Sequence, residues 1–236
     1  MANNYFSFKQ FTIYQDKCAF KVGTDGVLLG AYTDINGARR ILDIGTGTGL
    51  IALMLAQRCE AEIIALEPDI DSFEQACSNV ERSKWNNRIK MVKSDLQDYR
   101  PTETRFDLIV TNPPYFTDSL KNPDERKAAV RHNEILPVKD LLEGVERLLS
   151  DNGRFQVILP YVEGNIFIAE AQEFRLFCSN ILKIKSLPTS EIRRMILTFT
   201  RKRVKAYERF LTIERGRRHE FTEEYINLTK DFYLKF

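Results

Sequence analysis

The sequence predicts an α/β protein with a doubly wound, mostly parallel sheet and an antiparallel hairpin near its end. Three observations lead to this fold class. From residue 40 onward, short β-branched runs alternate with stretches of helical length, which is typical of βαβ units. The first of these strands runs into a glycine-rich turn, and the fourth runs into a rigid polar tetrapeptide. Two late strand candidates, 176–185 and 195–202, are close enough in the chain to pair antiparallel.

The individual elements follow in chain order. Residues 5–15 alternate apolar and polar side chains, which predicts a small hairpin. Thr24-Asp25 precedes the apolar stretch 27–32, and this order predicts a short helix with a polar cap. The regular core is predicted to contain strands near 41–44, 62–66, 89–93, 106–111 and 154–159, with helices near 49–58, 69–83 and 137–150. In such a sheet, ligands bind at the carboxyl ends of the strands.

The bulk properties favour a single domain. The chain has 236 residues, of which 43% are hydrophobic, and this is enough for one α/β core. We divide it into an N-terminal hairpin and helix extension (1–35), a ligand-binding core (36–203) and a C-terminal basic, amphipathic extension (204–236). The chain lacks both a run of 18 apolar residues and signal-peptide features, so we expect a cytoplasmic protein without a membrane span. Four scattered cysteines and two histidines predict no metal site.

A glycine turn closes the first core strand, in the peptide Asp43-Ile44-Gly45-Thr46-Gly47-Thr48-Gly49. Glycine permits positive φ and lets a ligand approach the backbone closely. The G-x-G-x-G spacing differs from that of a dinucleotide fold, and no basic residue lies nearby to meet a phosphate. We therefore expect a ligand without phosphates to contact Asp43, Gly45, Thr46, Gly47 and Gly49.

Carboxylates follow the next two strands. Glu67 ends the second strand, where an acid of a doubly wound sheet accepts both hydroxyls of a ribose. Asp95 follows the third strand and could receive an adenine amino group. Either acid taken alone is also compatible with a helix cap or a solvated loop residue. Their joint position at successive strand ends favours the binding role.

An acceptor motif, Asn112-Pro113-Pro114-Tyr115, follows the fourth strand. Two prolines fix φ and remove backbone donors, so carbonyl oxygens stay available and the Asn112 amide is held in place. Acceptor oxygens beside an aromatic ring suit a planar substrate with an amino group. The tetrapeptide alone is equally compatible with a plain turn that terminates the strand.

Positive charge is concentrated late in the chain. The basic segment, residues 191–218, contains ten Lys and Arg against three Glu. Such clusters attract polyanions, although a solvated basic face is a common alternative. We predict that Arg201, Lys202 and Arg203 bind a polyanion such as RNA.

The polar stretch 116–134 is long for a connection and contains several basic residues. We interpret it as a lid over the substrate, with Arg126, Lys127 and Arg131 contacting the same polyanion. A disordered surface insertion is the alternative.

These motifs together resemble the class I S-adenosylmethionine-dependent methyltransferases with an N-P-P-Y motif. The resemblance covers roughly residues 20–200. The segments Phe8-Lys9-Gln10-Phe11 and 21–30, the latter reading K-V-G-T-D-G-V-L-L-G, are similar to those of the bacterial tRNA(Val) adenine-37 N6-methyltransferase family.

The resemblance implies a fold, a cofactor and a substrate. It implies a seven-stranded Rossmann-like sheet of order 3-2-1-4-5-7-6, S-adenosyl-L-methionine as cofactor, and tRNA as partner without an obligate protein partner. Thr24 and Asp25 would border the methionine end of the cofactor. Asn112 and the Pro113 carbonyl would accept the hydrogens of the adenine amino group, and Tyr115 would stack on the base.

Three other functions remain open at this point. Protein-glutamine methyltransferases also use N-P-P-Y but usually carry a separate N-terminal helical domain, and only about 40 residues precede the first core strand. Guanine-N2 methyltransferases of ribosomal RNA tend to be duplicated and to end the motif with Phe. A non-catalytic cofactor-binding subunit tends to lose either the acceptor motif or the glycine turn, and this chain has both.

Overall fold

The computed structural model describes residues 3–18, 20–101, 105–113 and 136–236. A small antiparallel hairpin of β1 (Tyr5–Ser7) and β2 (Thr12–Tyr14) stands apart from the main sheet, as predicted. The main sheet contains eight strands, which are β3 (Arg40–Ile44), β4 (Glu62–Leu66), β5 (Ile89–Val92), β6 (Phe106–Thr111), β7 (Leu149–Pro160), β8 (Phe177–Lys185), β9 (Ile192–Thr200) and β10 (Tyr207–Thr212).

The order of the strands across the sheet is β10-β8-β9-β7-β6-β3-β4-β5. This order contains the seven predicted strands in the predicted arrangement and confirms the antiparallel pair β8–β9. The eighth strand, β10, was not predicted. It pairs parallel to β8 at the edge of the sheet, within the C-terminal extension.

Helices cover both faces of the sheet. They are α1 (Thr24–Tyr32), α2 (Leu50–Arg58), α3 (Ile70–Glu81), α4 (Val138–Leu148), α5 (Tyr161–Ala171) and α6 (Glu223–Thr229). One hydrophobic cluster packs α1, α2 and α3 against one face, and a second packs α4 and α5 against the other. This arrangement confirms the doubly wound fold, in which β3 and β4 are buried on both sides.

Three local predictions need correction. Thr24 and Asp25 lie inside α1, whose N-cap is Gly23, so no side chain at the N-cap accepts a hydrogen bond from the first turn. Helix α4 is found where it was predicted, but β7 follows it directly from Leu149 and thus starts earlier than the predicted strand 154–159. Helix α5 was not predicted; it starts immediately after β7, beyond Pro160.

The N-terminal segment is fastened to the C-terminal one. The Lys9 ammonium donates hydrogen bonds to the backbone oxygens of Lys230 (2.7 Å) and Phe236 (2.6 Å). Beside it, the rings of Phe8 and Tyr233 stack with their centroids 5.9 Å apart. This clasp lies next to α6, which packs against α1.

Candidate active site

The site lies at the point in the sheet where the order of strand addition reverses. From β3 the chain winds outward through β4 to β5, and β6 then starts the other half on the opposite side of β3. Ile44 at the end of β3 is level with Thr111 at the end of β6. The buried Thr111 hydroxyl donates to the Ile44 carbonyl over 2.8 Å and fixes this register. In open α/β sheets, ligands bind in the crevice at such a switch point.

The glycine turn, residues 45–49, opens toward this crevice. Gly45, Gly47 and Gly49 have φ of 65°, 57° and 82°, values that side chains with a Cβ rarely adopt. A Cβ built on Gly45 or Gly47 would meet no atom within 4 Å. The turn therefore presents bare backbone to open space, as close ligand approach requires. The Thr46 N–H donates to the Leu66 carbonyl at 2.9 Å, which ties the turn to β4.

Asp43 is a fully buried carboxyl directly beneath the turn. Its Oδ2 accepts a 2.6 Å hydrogen bond from the Thr46 hydroxyl, whereas its Oδ1 accepts no hydrogen bond of regular geometry from the described residues. Desolvation raises the pKa of Asp43 to about 7, against the lowering effect of Thr46 and of the Ala52 backbone N–H. A buried acceptor oxygen without such a bond fits a ligand that brings an N–H or O–H donor.

Glu67 lies where the ribose-binding acid was predicted, one residue beyond β4. Its buried carboxylate accepts the Gly47 N–H at 2.8 Å and the Asp69 N–H at 3.1 Å. An ionised carboxylate has about four lone-pair sites and is the kind of group that accepts hydrogen bonds from hydroxyl groups. Asp95 is exposed beyond β5, at the same edge of the sheet. The structure thus brings both predicted acids to the edge that holds the glycine turn.

Asn112 and Pro113 follow β6 directly, and Asn112 is half-buried while Pro113 is buried. The Asn112 Nδ2 lies 3.9 Å from the position of a Cβ on Gly26, and Leu50 Cδ2 lies 3.0 Å from the same position. A larger residue than glycine would therefore crowd this junction of α1 with α2. Pro114 and Tyr115 lie outside the described residues, so the predicted role of Tyr115 in base stacking stays a prediction.

Thr24 and Asp25 form the first turn of α1, which reaches the same edge. Asp25 Oδ2 accepts a hydrogen bond from Arg194 Nε at 2.8 Å, and about a fifth of the Asp25 side chain remains exposed. Arg194 lies at the start of β9, level with Pro160 at the end of β7. The ion pair therefore connects the start of α1 to the second half of the sheet. Contact of Thr24 or Asp25 with a cofactor stays a prediction.

Asn79 is a positioning residue that the sequence did not reveal. This buried amide of α3 donates to the carbonyls of Thr48 (2.9 Å) and Tyr14 (2.8 Å), and it accepts the Tyr14 N–H at 2.9 Å. It links the glycine turn to β2, which lies far away in sequence. Burial raises the pKa of the Cys18 thiol to about 11 and outweighs the lowering effect of a hydrogen bond with Ser72, which lies on the same helix as Asn79. An asparagine in an amphipathic helix carries no sequence signal for such a link.

The predicted RNA-binding residues do not gather at the site. Arg126, Lys127, Arg131 and the whole predicted lid 116–134 lie outside the described residues. Arg201 follows β9 at the opposite edge of the sheet, and its half-buried guanidinium donates to the carbonyls of Glu146 and, at 3.0 Å, Leu149.

Arg201 is therefore used to join β9 to the end of α4. Lys202 and Arg203 are exposed at that same opposite edge. Contact of these three residues with RNA stays a prediction, and their position lies away from the glycine turn and Asn112.

Metal-binding clusters and membrane-spanning helices are the two remaining features of interest. Among the residues that the structure describes, no cluster of three His, Cys, Asp or Glu could hold a metal ion. Within the same residues, no helix combines the length and the apolar character needed to cross a membrane.

Comparisons with known proteins agree with this geometry. The model of the methyltransferase small domain matches residues 21–160. Curated proteins called tRNA1(Val) (adenine(37)-N6)-methyltransferase are similar over full length: one from Bacteroides fragilis is 48% identical and covers 100% of both chains, and one from Phocaeicola vulgatus is 50% identical and covers 99% of both. A third, from Trichodesmium erythraeum, is 46% identical over 100% of both chains.

Solved structures agree on the fold. A predicted O-methyltransferase from Agrobacterium tumefaciens superimposes with a TM-score of 0.68 at 21% identity, covering 88% of this chain and 96% of its own. A glycopeptide N-methyltransferase solved with S-adenosyl-L-homocysteine gives a TM-score of 0.56 at 12% identity, covering 78% of this chain and 90% of its own. The glycine turn, the acids and the acceptor motif thus lie on a methyltransferase sheet, and the chain belongs to the S-adenosylmethionine-dependent methyltransferases of the methyltransferase small domain family.

Proposed function

We propose that this methyltransferase modifies the exocyclic N6 of an adenine in tRNA, at position 37 of tRNA(Val). The names of the full-length relatives support the substrate. One structural observation carries the chemistry: Gly45 and Asn112 leave adjacent parallel strands at the same level, because Ile44 pairs with Thr111. Neighbouring strands lie about 4.8 Å apart, so a methyl donor on the glycine turn and an amino group at Asn112 would meet directly.

The cofactor would be held by groups on the first three strand ends. When bound, S-adenosylmethionine supplies an electrophilic methyl group. Residues 45–49 offer backbone without side-chain obstruction, and Asp43 Oδ1 offers a buried acceptor. We assign the ribose hydroxyls to Glu67 and the adenine amino group of the cofactor to Asp95, with Thr24 near the methionine end.

The protein's own contribution is to prepare the amino group of the substrate. The lone pair of an adenine amino nitrogen is delocalised into the ring, so this nitrogen is a weak nucleophile. In our proposal the Asn112 side-chain oxygen and the Pro113 carbonyl accept its two hydrogens and favour a pyramidal nitrogen. Both acceptors are preorganised by the proline-rich backbone, which is a catalytic effect of orientation and electrostatics. We assign to Tyr115 the stacking of the base.

An anticodon-loop adenine suits this small enzyme, because such a base is already single-stranded and costs little to extrude. Access to tRNA places the proposed reaction in the cytoplasm. The proposed reaction involves neither a metal ion nor an obligate protein partner.

The test uses purified protein, methyl-labelled cofactor and bulk tRNA from a strain that lacks the gene. We expect label in N6-methyladenosine after nucleoside analysis, and we expect it to map to position 37 of tRNA(Val). Parallel reactions with ribosomal RNA and with total protein address the alternatives. Label in N2-methylguanosine or only in protein would refute the proposal.

A further inference from the structure

The basic segment 191–218 is one charge cluster in sequence, but the sheet divides it between opposite edges. Strand β9 runs antiparallel to β7, so Arg193 at its start lies at the carboxyl edge, where the glycine turn and Asn112 also lie. The chain then runs along β9 to the other edge of the sheet, where Lys202 and Arg203 follow the end of the strand. Strand β10 rises parallel to β8 and returns the chain to the carboxyl edge at Thr212.

Beyond β10, a fixed turn carries the second group of arginines. The Glu214 and Ile213 N–H groups donate to the carbonyls of Ser186 and Lys185 at 2.9 and 3.0 Å, which extends the pairing past the end of the sheet. The chain reverses at 215–220 and pairs again between Glu214 and Phe221.

The geometry of this turn is strongly constrained. His219 adopts a φ of 70°, an uncommon conformation for a residue with a side chain, and its N–H donates to Glu214 Oε1 at 2.7 Å. The Arg215 N–H also donates to the Glu220 carbonyl at 2.7 Å. Because both ends of the turn are bonded, the exposed side chains at its tip project from a defined place.

Three arginines of this edge are available to an external partner. Arg193, Arg217 and Arg218 are exposed, and none of them forms an ion pair with a residue that the structure describes. Their neighbours are engaged differently: Arg194 binds Asp25, and Arg215 lies 3.6 Å from Glu223.

Acidic residues also lie close to this group. Glu191 and Glu220 are exposed, and Glu214 is partly buried with its carboxylate bonded inside the turn. Because these carboxylates lie close to them, Arg193, Arg217 and Arg218 offer separate, exposed guanidinium groups and not a uniformly positive surface. Guanidinium groups of this kind recognise phosphate through paired hydrogen bonds.

We propose that Arg193, Arg217 and Arg218 form a docking surface for backbone phosphates of the RNA arm that carries the target adenine. The inference rests on the proposed function, because it assumes a tRNA substrate. Four strand spacings separate β6, which presents Asn112, from β10, which presents the turn. At about 4.8 Å each, this is roughly 19 Å across the sheet. A base at Asn112 and its adjoining stem could therefore be held together.

The experiment compares two triple variants that each remove three charges from the same basic segment. One is R193Q/R217Q/R218Q, and the matched comparison is K202Q/R203Q/K205Q, which removes charges at the opposite edge that the sequence predicts to bind RNA. Binding of unmodified tRNA is measured by filter retention over a range of salt concentrations, with S-adenosyl-L-homocysteine present. Thermal unfolding and the cofactor affinity of both variants report whether the fold and the cofactor site are intact.

We expect R193Q/R217Q/R218Q to bind tRNA about tenfold or more weakly and to lose roughly two to three units of the log–log salt slope, since each phosphate contact contributes about 0.7–0.9. Its KM for tRNA should rise by a similar factor while kcat stays near that of the wild type. The prediction that Lys202 and Arg203 bind RNA competes with this one: K202Q/R203Q/K205Q should lose the larger share of tRNA affinity and salt slope if that prediction holds, and R193Q/R217Q/R218Q should lose it if the docking surface does.

Equal tRNA affinities and salt slopes for R193Q/R217Q/R218Q and the wild type would overturn the docking surface, and so would equal losses in both variants. Failure of the proposed function has a different signature, because wild-type protein would then bind tRNA without placing label in N6-methyladenosine. Wild-type protein that does not bind tRNA would overturn both.

Discussion

The buried carboxyl of Asp43 predicts a specific dependence of stability on pH. Burial raises the pKa of Asp43 from 3.8 to about 7, so between these values the folded protein holds a proton that the unfolded chain has released. Because the folded state then binds more protons, the free energy of unfolding must fall as pH rises. The stabilising contribution is complete below the unfolded pKa and is lost as pH passes the folded pKa. A shift of about three units corresponds to at most about 4 kcal/mol.

The variant Asp43→Asn isolates this effect. Asparagine keeps an acceptor for the Thr46 hydroxyl and cannot ionise. Any change that the substitution itself makes to the free energy of unfolding is the same at every pH and does not affect the comparison of the two pH profiles. We expect the wild type to lose up to about 4 kcal/mol more than the variant between about pH 4 and about pH 8. The measurement is urea unfolding followed by circular dichroism without cofactor, at several pH values. Parallel pH profiles for the two proteins would refute the assignment, because Asp43 would then titrate alike in both states.

Three further predictions address the site directly. Asn112→Ala should lower turnover by about 10²-fold or more while leaving cofactor affinity within a few-fold, because Asn112 contacts the substrate in our proposal; calorimetry that shows lost cofactor binding with an intact fold would contradict this. Glu67→Ala should weaken cofactor binding by about 1.5–3 kcal/mol, and Glu67→Gln, which keeps an acceptor, should weaken it less; unchanged affinity in both would remove the ribose role. Thr111→Val should lower the free energy of unfolding by about 1–2 kcal/mol, because it leaves the buried Ile44 carbonyl without its donor; a value near zero in urea unfolding would show that the register does not depend on this bond.

The central strands and the residues at their carboxyl ends could be predicted from sequence because their signals are local. A β-branched run followed by glycines or by two prolines determines the backbone over a few residues, whatever the rest of the chain does. The register that places Gly45 beside Asn112 follows from the parallel sheet. The fold class, the hairpin β1–β2 and the strand order of the seven predicted strands were therefore confirmed.

The parts that were missed depend on distant contacts. Strand β10 has four exposed residues among its six, so it shows no apolar alternation, and its place depends on pairing with β8 and packing against α6. Asn79 becomes a link only after α3 meets the glycine turn. Arg201 belongs to a basic run in sequence, whereas its hydrogen bonds to Glu146 and Leu149 depend on the junction of α4 and β7. Charge composition cannot distinguish a guanidinium that binds carbonyls inside the fold from one that is free to bind RNA.

The clasp between Lys9 and the segment 230–236 has a consequence for folding during protein synthesis. Its hydrogen bonds join residues that are 221 and 227 positions apart. At a ribosomal rate of about 5–20 residues per second, the aromatic side chains near Lys9 wait on the order of ten seconds or more for their partners. Until then Phe8 is an exposed apolar group that a chaperone can bind. The segment around Lys9 is therefore made first but should be among the last parts to reach its final packing, and a nascent chain arrested before residue 230 should remain sensitive to protease around Lys9.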